Sequence, residues 1–305
     1  MPNVSRVQNG RSEYDLQQIH DDLIAIAKEA GKMMLAAKPS ALTSGSKNNS
    51  ADLVTETDQA IEQVVLGTLK AKYPTYSFLG EETYVPGMRL TDAPTFVCDP
   101  IDGTVNFVHG FPNFCISLAF TLKRKPLVGV IYHPSHNSLY TAITGRGSYH
   151  NLTTRLPFTH PYLAPLSTLS RSLCAVEWGS DRSGTNWECK YNTFRTLAGA
   201  PSEGGKMVHS LRSMGSAALS FCAVAKGEVD LYWEGGCWAW DVAAGWVILE
   251  EAGGVVVDAN PGGWDIAVDG RRYFAVRGCE GGREQQKAII EEFWTAVKGK
   301  YDYEP

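Results

Sequence analysis

The sequence of 305 residues lacks several features that define whole classes of protein. Its seven cysteines are odd in number and contain no CxxC pair, which argues against a disulfide framework and favours a reducing compartment. It has no basic tail or block and a formal charge of −5, so we do not expect a nucleic-acid-binding protein. The sequence contains no uninterrupted run of about 18 apolar residues, the length that could cross a bilayer. The first residues, MPNVSRVQNGRSEYD, lack the basic and apolar regions of a signal peptide. We therefore expect a cytoplasmic protein without a membrane partner.

The pattern of apolar residues predicts two unlike halves. Helical spacing at residues 14–37 and 58–72 precedes the first strands. Short β-branched and aromatic runs within residues 76–143 then predict an antiparallel sheet. Beyond residue 157 strands alternate with helical segments, which is typical of α/β structure. We expect an N-terminal subdomain, residues 1–156, and a C-terminal subdomain, residues 157–305, packed as one unit because no flexible linker separates them.

The stretch CDPIDGTVNFVHGFPNF carries the most informative acids, Asp99 and Asp102, on a predicted turn after the strand TFVC. Two carboxylates three residues apart on such a turn can converge on one point, and Mg²⁺ prefers oxygen ligands. Gly103 and Thr104 follow where a short helix could begin, so their backbone N–H groups could bind phosphate, and the Thr104 hydroxyl could orient an attacking water. The alternative is that Asp-Pro and Asp-Gly are simply favoured turn dipeptides.

Other acids stand at the ends of predicted elements. Glu81 follows an apolar strand and a glycine, although it could be a solvated surface charge. Asp58 stands near the start of the second helix, where capping is the alternative explanation. Asp241 precedes an apolar helix that ends in Gly253-Gly254, and we expect it to cap that helix whether or not it also binds metal. The joint occurrence of these acids favours a metal site.

The blocks DPIDGTVNFVHGFP and WDVAAGWVILEEAGG together resemble the inositol monophosphatase family of lithium-sensitive, magnesium-dependent phosphatases, and GEET and DLVTETD fit the same family. The resemblance implies a layered α/β/α/β/α sandwich, with an N-terminal antiparallel sheet and two helices (α+β) and a C-terminal mixed sheet flanked by helices (α/β). It also implies a homodimer that hydrolyses a small phosphate monoester, with inositol monophosphate as the first candidate. Metal-activated water would attack phosphorus directly, without a phosphoenzyme.

The resemblance further implies a set of functional residues. Glu81 and Thr104 would orient the attacking water, with Asp58 accepting a hydrogen bond from Thr104. Phosphate would bind the backbone at Gly103 and Thr104. The implied metal ligands are the carboxylates of Glu81, Asp99, Asp102 and Asp241 and the carbonyl oxygen of Ile101. The implied substrate-binding residues are Asp102, Gly215, Ser216, Ala217, Glu234 and Asp241.

Some positions leave the prediction open. Cys237 and Trp238 replace the aliphatic residue and histidine of animal family members, so the preferred alcohol could differ. Lys47 matches a family loop near the active site, with a solvated lysine as the alternative, and we expect His109 to be a packed or hydrogen-bonded structural residue. A bisphosphate nucleotidase, a sugar phosphatase such as fructose bisphosphatase, or a non-enzymatic regulator on the same fold remain competing interpretations.

Overall fold

The computed structural model of the protein describes residues 14–38, 45–46, 53–158 and 164–304, so Lys47 and Asp52 lie outside the described residues. Helices α1 (Leu16–Ala36) and α2 (Glu56–Lys72) confirm the two predicted N-terminal helices. Between them, strands β1 (Gly45–Ser46) and β2 (Leu53–Val54) form a small antiparallel pair. A capping box begins α2, because the Thr55 side chain accepts backbone N–H groups while Asp58 accepts the Thr55 N–H.

The first large sheet has seven strands in chain order. All neighbouring pairs are antiparallel except the edge pair β3 and β4, which is parallel. Its strands are β3 (Ser77–Gly80), β4 (Thr95–Asp102), β5 (Cys115–Leu122), β6 (Lys125–His133), β7 (Ser138–Ile143), β8 (Ser148–His150) and β9 (Thr154–Arg155). The short helix α3 (Thr104–His109) joins β4 to β5.

The second large sheet is mixed and has five strands in the order β11-β10-β12-β14-β13. Strand β10 is parallel to both of its neighbours, whereas β14 is antiparallel to both of its own. The strands are β10 (Leu173–Val176), β11 (Ser210–Arg212), β12 (Leu231–Gly235), β13 (Val255–Asp258) and β14 (Arg272–Val276). The helices in this half are α4 (Gly184–Ala198), α5 (Ala217–Lys226), α6 (Ala239–Glu251) and α7 (Gly282–Ala296).

Three hydrophobic clusters bind these elements into five layers. One fills the space between α1, α2 and the outer face of the first sheet, with Ile19 and Phe120 fully buried. The second surrounds α5 and α6, which lie between the two sheets. The third joins the second sheet to α4 and α7 through residues such as Trp233 and Phe293. The α/β/α/β/α sandwich is therefore confirmed, and Asp99, Asp102 and Asp241 lie where β4 meets the starts of α5 and α6.

Helix α6 is apolar on all sides over residues 242–249, as expected for a helix that lies with α5 in the layer between the two sheets. Across the described ranges, no helix combines the length and hydropathy that spanning a membrane requires.

Candidate active site

Asp99 and Asp102 converge because strand β4 is irregular where they lie. The strand does not end at Cys98 as the predicted turn requires, but continues to Asp102. In a regular strand two residues three apart point to opposite faces. Here Asp99 pairs with Ser117 and Asp102 with Cys115, so Pro100 and Ile101 together oppose a single residue of β5. This β-bulge turns both carboxylates to the same side of the sheet.

Glu81 reaches the same place from the edge strand. Gly80 of β3 pairs in parallel with Cys98 of β4, and the Glu81 N–H donates to the Cys98 carbonyl at 3.1 Å. Glu81 and Asp99 therefore each come directly after one member of the paired residues Gly80 and Cys98, which explains why both approach one site.

Asp241 lies in the first turn of α6. Its carboxylate accepts the backbone N–H of Trp238 at 2.6 Å. Trp238 is the N-cap residue and Asp241 is the third residue of the helix. The predicted N-cap position of Asp241 is therefore wrong, because the helix begins at Ala239, but its carboxylate still caps the helix by accepting the N–H of the N-cap residue. At this position the Asp241 carboxylate accepts a free backbone N–H at the start of the helix and still faces the other acids.

Asp99, Asp102 and Asp241 form a cluster in which one oxygen atom from each lies within 4.8 Å of the others. Burial, followed by the charges of Glu81, Asp102 and Asp241, holds the pKa of Asp99 well above its usual range. The pKa of Asp241 is likewise raised, first by burial and then by Asp102 and Glu81. Glu81 is thus close enough to act on both groups, although it lies outside the 4.8 Å cluster of described residues.

One atom tests whether a cation fits this cluster. Asp99 Oδ1 is buried and has no hydrogen-bond partner among the described residues. A buried carboxylate oxygen without a partner is costly, and a metal ion is the usual compensation for such a group. The ligand set is made of oxygen atoms, which suits a hard divalent cation. The chemistry of the cluster therefore fits a metal.

Asp102 is held more tightly than Asp99 because it meets the start of α5. Its Oδ2 accepts the Ser216 hydroxyl and the Ala218 N–H, both at 2.6 Å, and its Oδ1 accepts the Ala217 N–H at 3.3 Å. Burial raises its pKa to about 6, while these donors act in the opposite direction. Ser216 and Ala217 are thus within hydrogen-bonding distance of one acid of the cluster.

The turn after Asp102 brings Gly103 and Thr104 beside the acids. Gly103 has φ +95°, and a β-carbon there would lie 2.9 Å from the Asn113 carbonyl oxygen and 3.1 Å from that of Gly215. The Thr104 hydroxyl lies 3.2 Å from Asp58 Oδ1 and 3.0 Å from the Ile101 carbonyl oxygen, both of which can accept its proton. Asp58 is buried, and burial raises its pKa despite hydrogen bonds from Thr55.

Glu62 is a functional candidate that no motif identified. Its carboxylate is fully buried and accepts the backbone N–H groups of Glu82 and Thr83, each at 2.8 Å. It therefore fixes the loop that begins with Glu81. Asp58 and Glu62 lie one turn apart on α2, and this i, i+4 spacing is the only sequence signal that could have revealed the pair.

Glu177 fixes the loop before α5 in the same way. It accepts the Ser213 hydroxyl at 2.8 Å and the N–H groups of Met214 and Gly215 at 2.5 and 3.1 Å. Burial, with a smaller effect of Glu234, raises its pKa to about 7. Gly215 is thereby held beside the site, but no sequence pattern identifies Glu177.

Glu234 lies at the end of β12, where burial raises its pKa and the positive charge of Lys190 acts against that rise. It accepts a short hydrogen bond from the Tyr232 hydroxyl. Trp238 stacks on Trp240 and packs against Tyr84, which follows Glu81 in the same loop. His109 is exposed at the end of α3, so the expected packed position is wrong.

Buried acids that fit a divalent cation, next to a glycine turn and a helix start, define the site of a metal-dependent hydrolase acting on an anionic substrate. The sequence model of the inositol monophosphatase family matches residues 15–298. Inositol monophosphatase 2 of Saccharomyces cerevisiae is 48% identical over 262 residues, covering 84% of this chain and 86% of the relative. Inositol monophosphatase 1 of the same yeast is 40% identical over 302 residues, covering 95% and 99%.

The solved structure of inositol monophosphatase from Anabaena (Nostoc) sp. PCC 7120 superposes with a TM-score of 0.72 at 30% identity, covering 94% of this chain and 98% of that one. The protein belongs to the inositol monophosphatase family, which confirms the predicted resemblance. It is accordingly an enzyme that hydrolyses phosphate monoesters, in a family that depends on metal.

Proposed function

We propose that this enzyme hydrolyses an inositol monophosphate to inositol and inorganic phosphate, with Mg²⁺ as its metal. The observation that carries the proposal is the buried, unpartnered Oδ1 of Asp99 in the acidic cluster, within the described part of the chain. It calls for a cation at a point next to the Gly103–Thr104 turn. Relatives named inositol monophosphatase support the choice of alcohol.

The residues that would hold the metal are Asp99, Asp102 and Asp241, with Glu81 and the Ile101 carbonyl completing the set. When bound, Mg²⁺ supplies positive charge that polarises the phosphate and makes water more acidic. The backbone N–H groups of Gly103 and Thr104, at the start of α3, bind the phosphate oxygens.

Thr104 and Asp58 are proposed to handle the proton of the attacking water, together with Glu81. With the Thr104 hydroxyl donating to Asp58 at 3.2 Å, its oxygen is free to accept a hydrogen bond from water. The water oxygen attacks phosphorus as the ester P–O bond breaks, and the bonding electrons leave with the alcohol oxygen. The alcohol oxygen takes a proton from solvent water, while the proton lost by the attacking water passes towards Thr104 and Asp58 or to Glu81.

We assign the alcohol part of the substrate to the side of the cluster away from the Gly103–Thr104 turn. Asp102, Asp241 and Glu234 offer carboxylates to the hydroxyl groups of a polyol. The Ser216 hydroxyl and the Ala217 N–H lie beside Asp102, and Gly215 directly precedes them in the chain. In this division of labour, residues 1–156 supply most metal and phosphate contacts, and residues 157–305 supply Asp241 and the substrate contacts.

The proposal extends to a homodimer in the cytoplasm, without nucleic-acid or membrane partners. The family resemblance supports the dimer, and the formal charge of −5 argues against a nucleic-acid partner. Sedimentation equilibrium of the purified protein tests the dimer, for which a monomer mass of 33.3 kDa at micromolar concentration would be the contrary result.

Phosphate release from three substrates tests the activity. Inositol 1-phosphate should be hydrolysed with higher kcat/KM than 3′-phosphoadenosine 5′-phosphate or fructose 1,6-bisphosphate, and lithium should inhibit. Dominance of either bisphosphate would reassign the substrate. Asp102→Asn is the matched control, because it retains shape but removes a charge from the cluster, and its activity should be lost.

A further inference from the structure

The segment that follows α7, residues 298–304, is fixed to the second sheet and is called the post-α7 segment below. Tyr301 exchanges two hydrogen bonds with the Asn260 side chain, at 2.8 and 3.0 Å. Arg272 Nη1 donates to the Tyr303 carbonyl at 2.5 Å, and the Asp302 N–H donates to Asn186 at 2.7 Å. These hydrogen bonds make residues 301–303 a structural part of this half of the molecule.

Its two tyrosine rings lie directly on the backbone that leads from Glu234 towards Trp238. A β-carbon at Gly235 would be 2.7 Å from the Tyr301 ring, and one at Gly236 would be 3.1 Å from the Tyr303 ring. Gly236 also has φ +105°, which disfavours any side chain there. The two glycines therefore allow the tyrosines to approach residues 235–238, which we call the glycine loop.

Arg271 also contacts the glycine loop, through both Gly236 and Trp238. Its guanidinium carbon lies 3.6 Å from the centre of the Trp238 ring and 5.3 Å from the centre of the Tyr303 ring. Its Nη2 donates to the Gly236 carbonyl at 3.0 Å. Trp238 is thus held by a cation–π contact that the Tyr303 ring flanks.

Lys190 binds the Tyr303 hydroxyl and acts electrostatically on Glu234. Its side chain is buried, and its Nζ donates to the Trp178 carbonyl at 3.1 Å and to the Tyr303 hydroxyl at 3.4 Å. The Tyr303 hydroxyl in turn donates to Asp181 at 2.5 Å. The charge of Lys190 also stabilises the ionised form of Glu234. Moving Tyr303 would therefore disturb both the glycine loop and the position of the Lys190 cation, whose charge acts on Glu234.

We propose that Tyr303 is a specificity-determining positioning residue, which acts through Lys190 and Arg271 to fix Glu234 and Trp238 for the alcohol part of the substrate. The inference rests on the proposed function, because it needs Glu234 to face the polyol. The phosphate end, at Gly103 and Thr104, belongs to the other sheet. A change at Tyr303 should therefore affect recognition of the alcohol and spare the phosphate.

The test compares inositol 1-phosphate with phenyl phosphate, whose alcohol carries no further hydroxyl groups. Tyr303→Ala should raise KM for inositol 1-phosphate about tenfold, the effect of about one charge-assisted hydrogen bond. Its kcat, and its KM for phenyl phosphate, should stay within about twofold of wild type. Tyr303→Phe keeps the ring but removes the hydroxyl, so the KM for inositol 1-phosphate should rise about threefold.

Asp302→Ala is the matched control, since this neighbour is exposed and bonds through its backbone. It should behave like wild type on both substrates. If Tyr303→Ala does not fold, Tyr303→Phe decides alone. Equal losses on both substrates, or no loss on inositol 1-phosphate, would overturn the inference. Inactivity of the wild type on both substrates would instead refute the proposed function, and this inference with it.

Discussion

Alanine substitutions at the two glycines that flank α3 form a matched pair. They separate the cost of a positive φ from the cost of crowding against the neighbouring backbone, which occurs at Gly103 only. Gly103 and Gly110 both have positive φ, +95° and +69°. Alanine in the left-handed region costs roughly 1–2 kcal/mol at either position. At Gly110 that is the whole expected cost, because nothing in the described part of the chain lies within 4 Å of a β-carbon there.

Gly103→Ala carries a second cost. The new β-carbon would lie 2.9 Å from the Asn113 carbonyl oxygen and 3.1 Å from that of Gly215, both of them backbone atoms that cannot rotate away. Overpacking of this kind adds about 1–3 kcal/mol. Since about 1 kcal/mol lowers the Tm of a chain of this size by about 2 °C, Gly110→Ala should lower Tm by about 2–4 °C and Gly103→Ala by about 4–10 °C.

The functional difference should be larger than the difference in stability. Relieving the clash displaces Asp102, Thr104 or the loop at Gly215, and a misplacement of about 1 Å can reduce catalysis about 100-fold. We expect kcat/KM for inositol 1-phosphate to fall at least about tenfold in Gly103→Ala and to change less than about twofold in Gly110→Ala. Differential scanning calorimetry and phosphate release measure the two effects. Equal Tm and equal kcat/KM for the two variants would refute the reasoning.

Three further predictions concern the buried acids. Asp99→Asn should raise the Tm of the metal-free enzyme at pH 8, because a neutral amide avoids the cost of burying a charge there and removes the repulsion from the other acids. It should also reduce the further rise in Tm on adding MgCl₂, and an undiminished rise would contradict the role of Asp99 as a ligand. Glu62→Gln should weaken Mg²⁺ binding in calorimetric titration, because its amide NH₂ group would face one of the two backbone N–H groups that the carboxylate now accepts. The control is Asp22→Asn, which changes a buried carboxylate bonded to Lys72 and Tyr73. It should lower stability without changing Mg²⁺ affinity. Equal Mg²⁺ affinity in Glu62→Gln and wild type would contradict the positioning role. Glu177, whose pKa rises from 4.5 to about 7, binds a proton more tightly in the folded state, so its contribution makes stability fall as pH rises between these values. Urea denaturation of the metal-free protein from pH 5 to 8 should show a shallower fall for Glu177→Gln, and identical slopes would exclude this assignment.

The sequence located the acids well but could not supply the geometry that joins them. The blocks around Asp99 and Asp241 are local motifs, and they identified the family and therefore the layered fold. The spacing of Asp99 and Asp102 is ambiguous. On a turn it would bring the two carboxylates together, whereas in a regular strand it would point them to opposite faces. The bulge opposite Ile116 resolves this, and it depends on pairing with β5, which lies beyond the local pattern.

The C-terminal half shows a second limit of local patterns. Strand β14, at Arg272–Val276, completes the second sheet between β12 and β13, although arginines flank its short apolar run. Arg272 is tolerated at this strand end because it pairs with Asp258 and donates to the Tyr303 carbonyl. Those partners lie at distant positions in the chain, so neither strand periodicity nor charge pattern predicts them.

The residues that hold the site share a chemistry that bears on metal binding. Asp58, Glu62 and Glu177 each accept hydrogen bonds from hydroxyl or backbone N–H groups. Neutral donors stabilise a buried carboxylate without cancelling its charge, whereas a lysine or arginine partner would add a positive charge close to the cluster. Positioning acids held in this way leave the negative potential around Asp99 in place for the metal. The pKa values of Asp99 and Asp241 are raised first by burial and then by the charges of the neighbouring acids, and a bound cation would offset both effects.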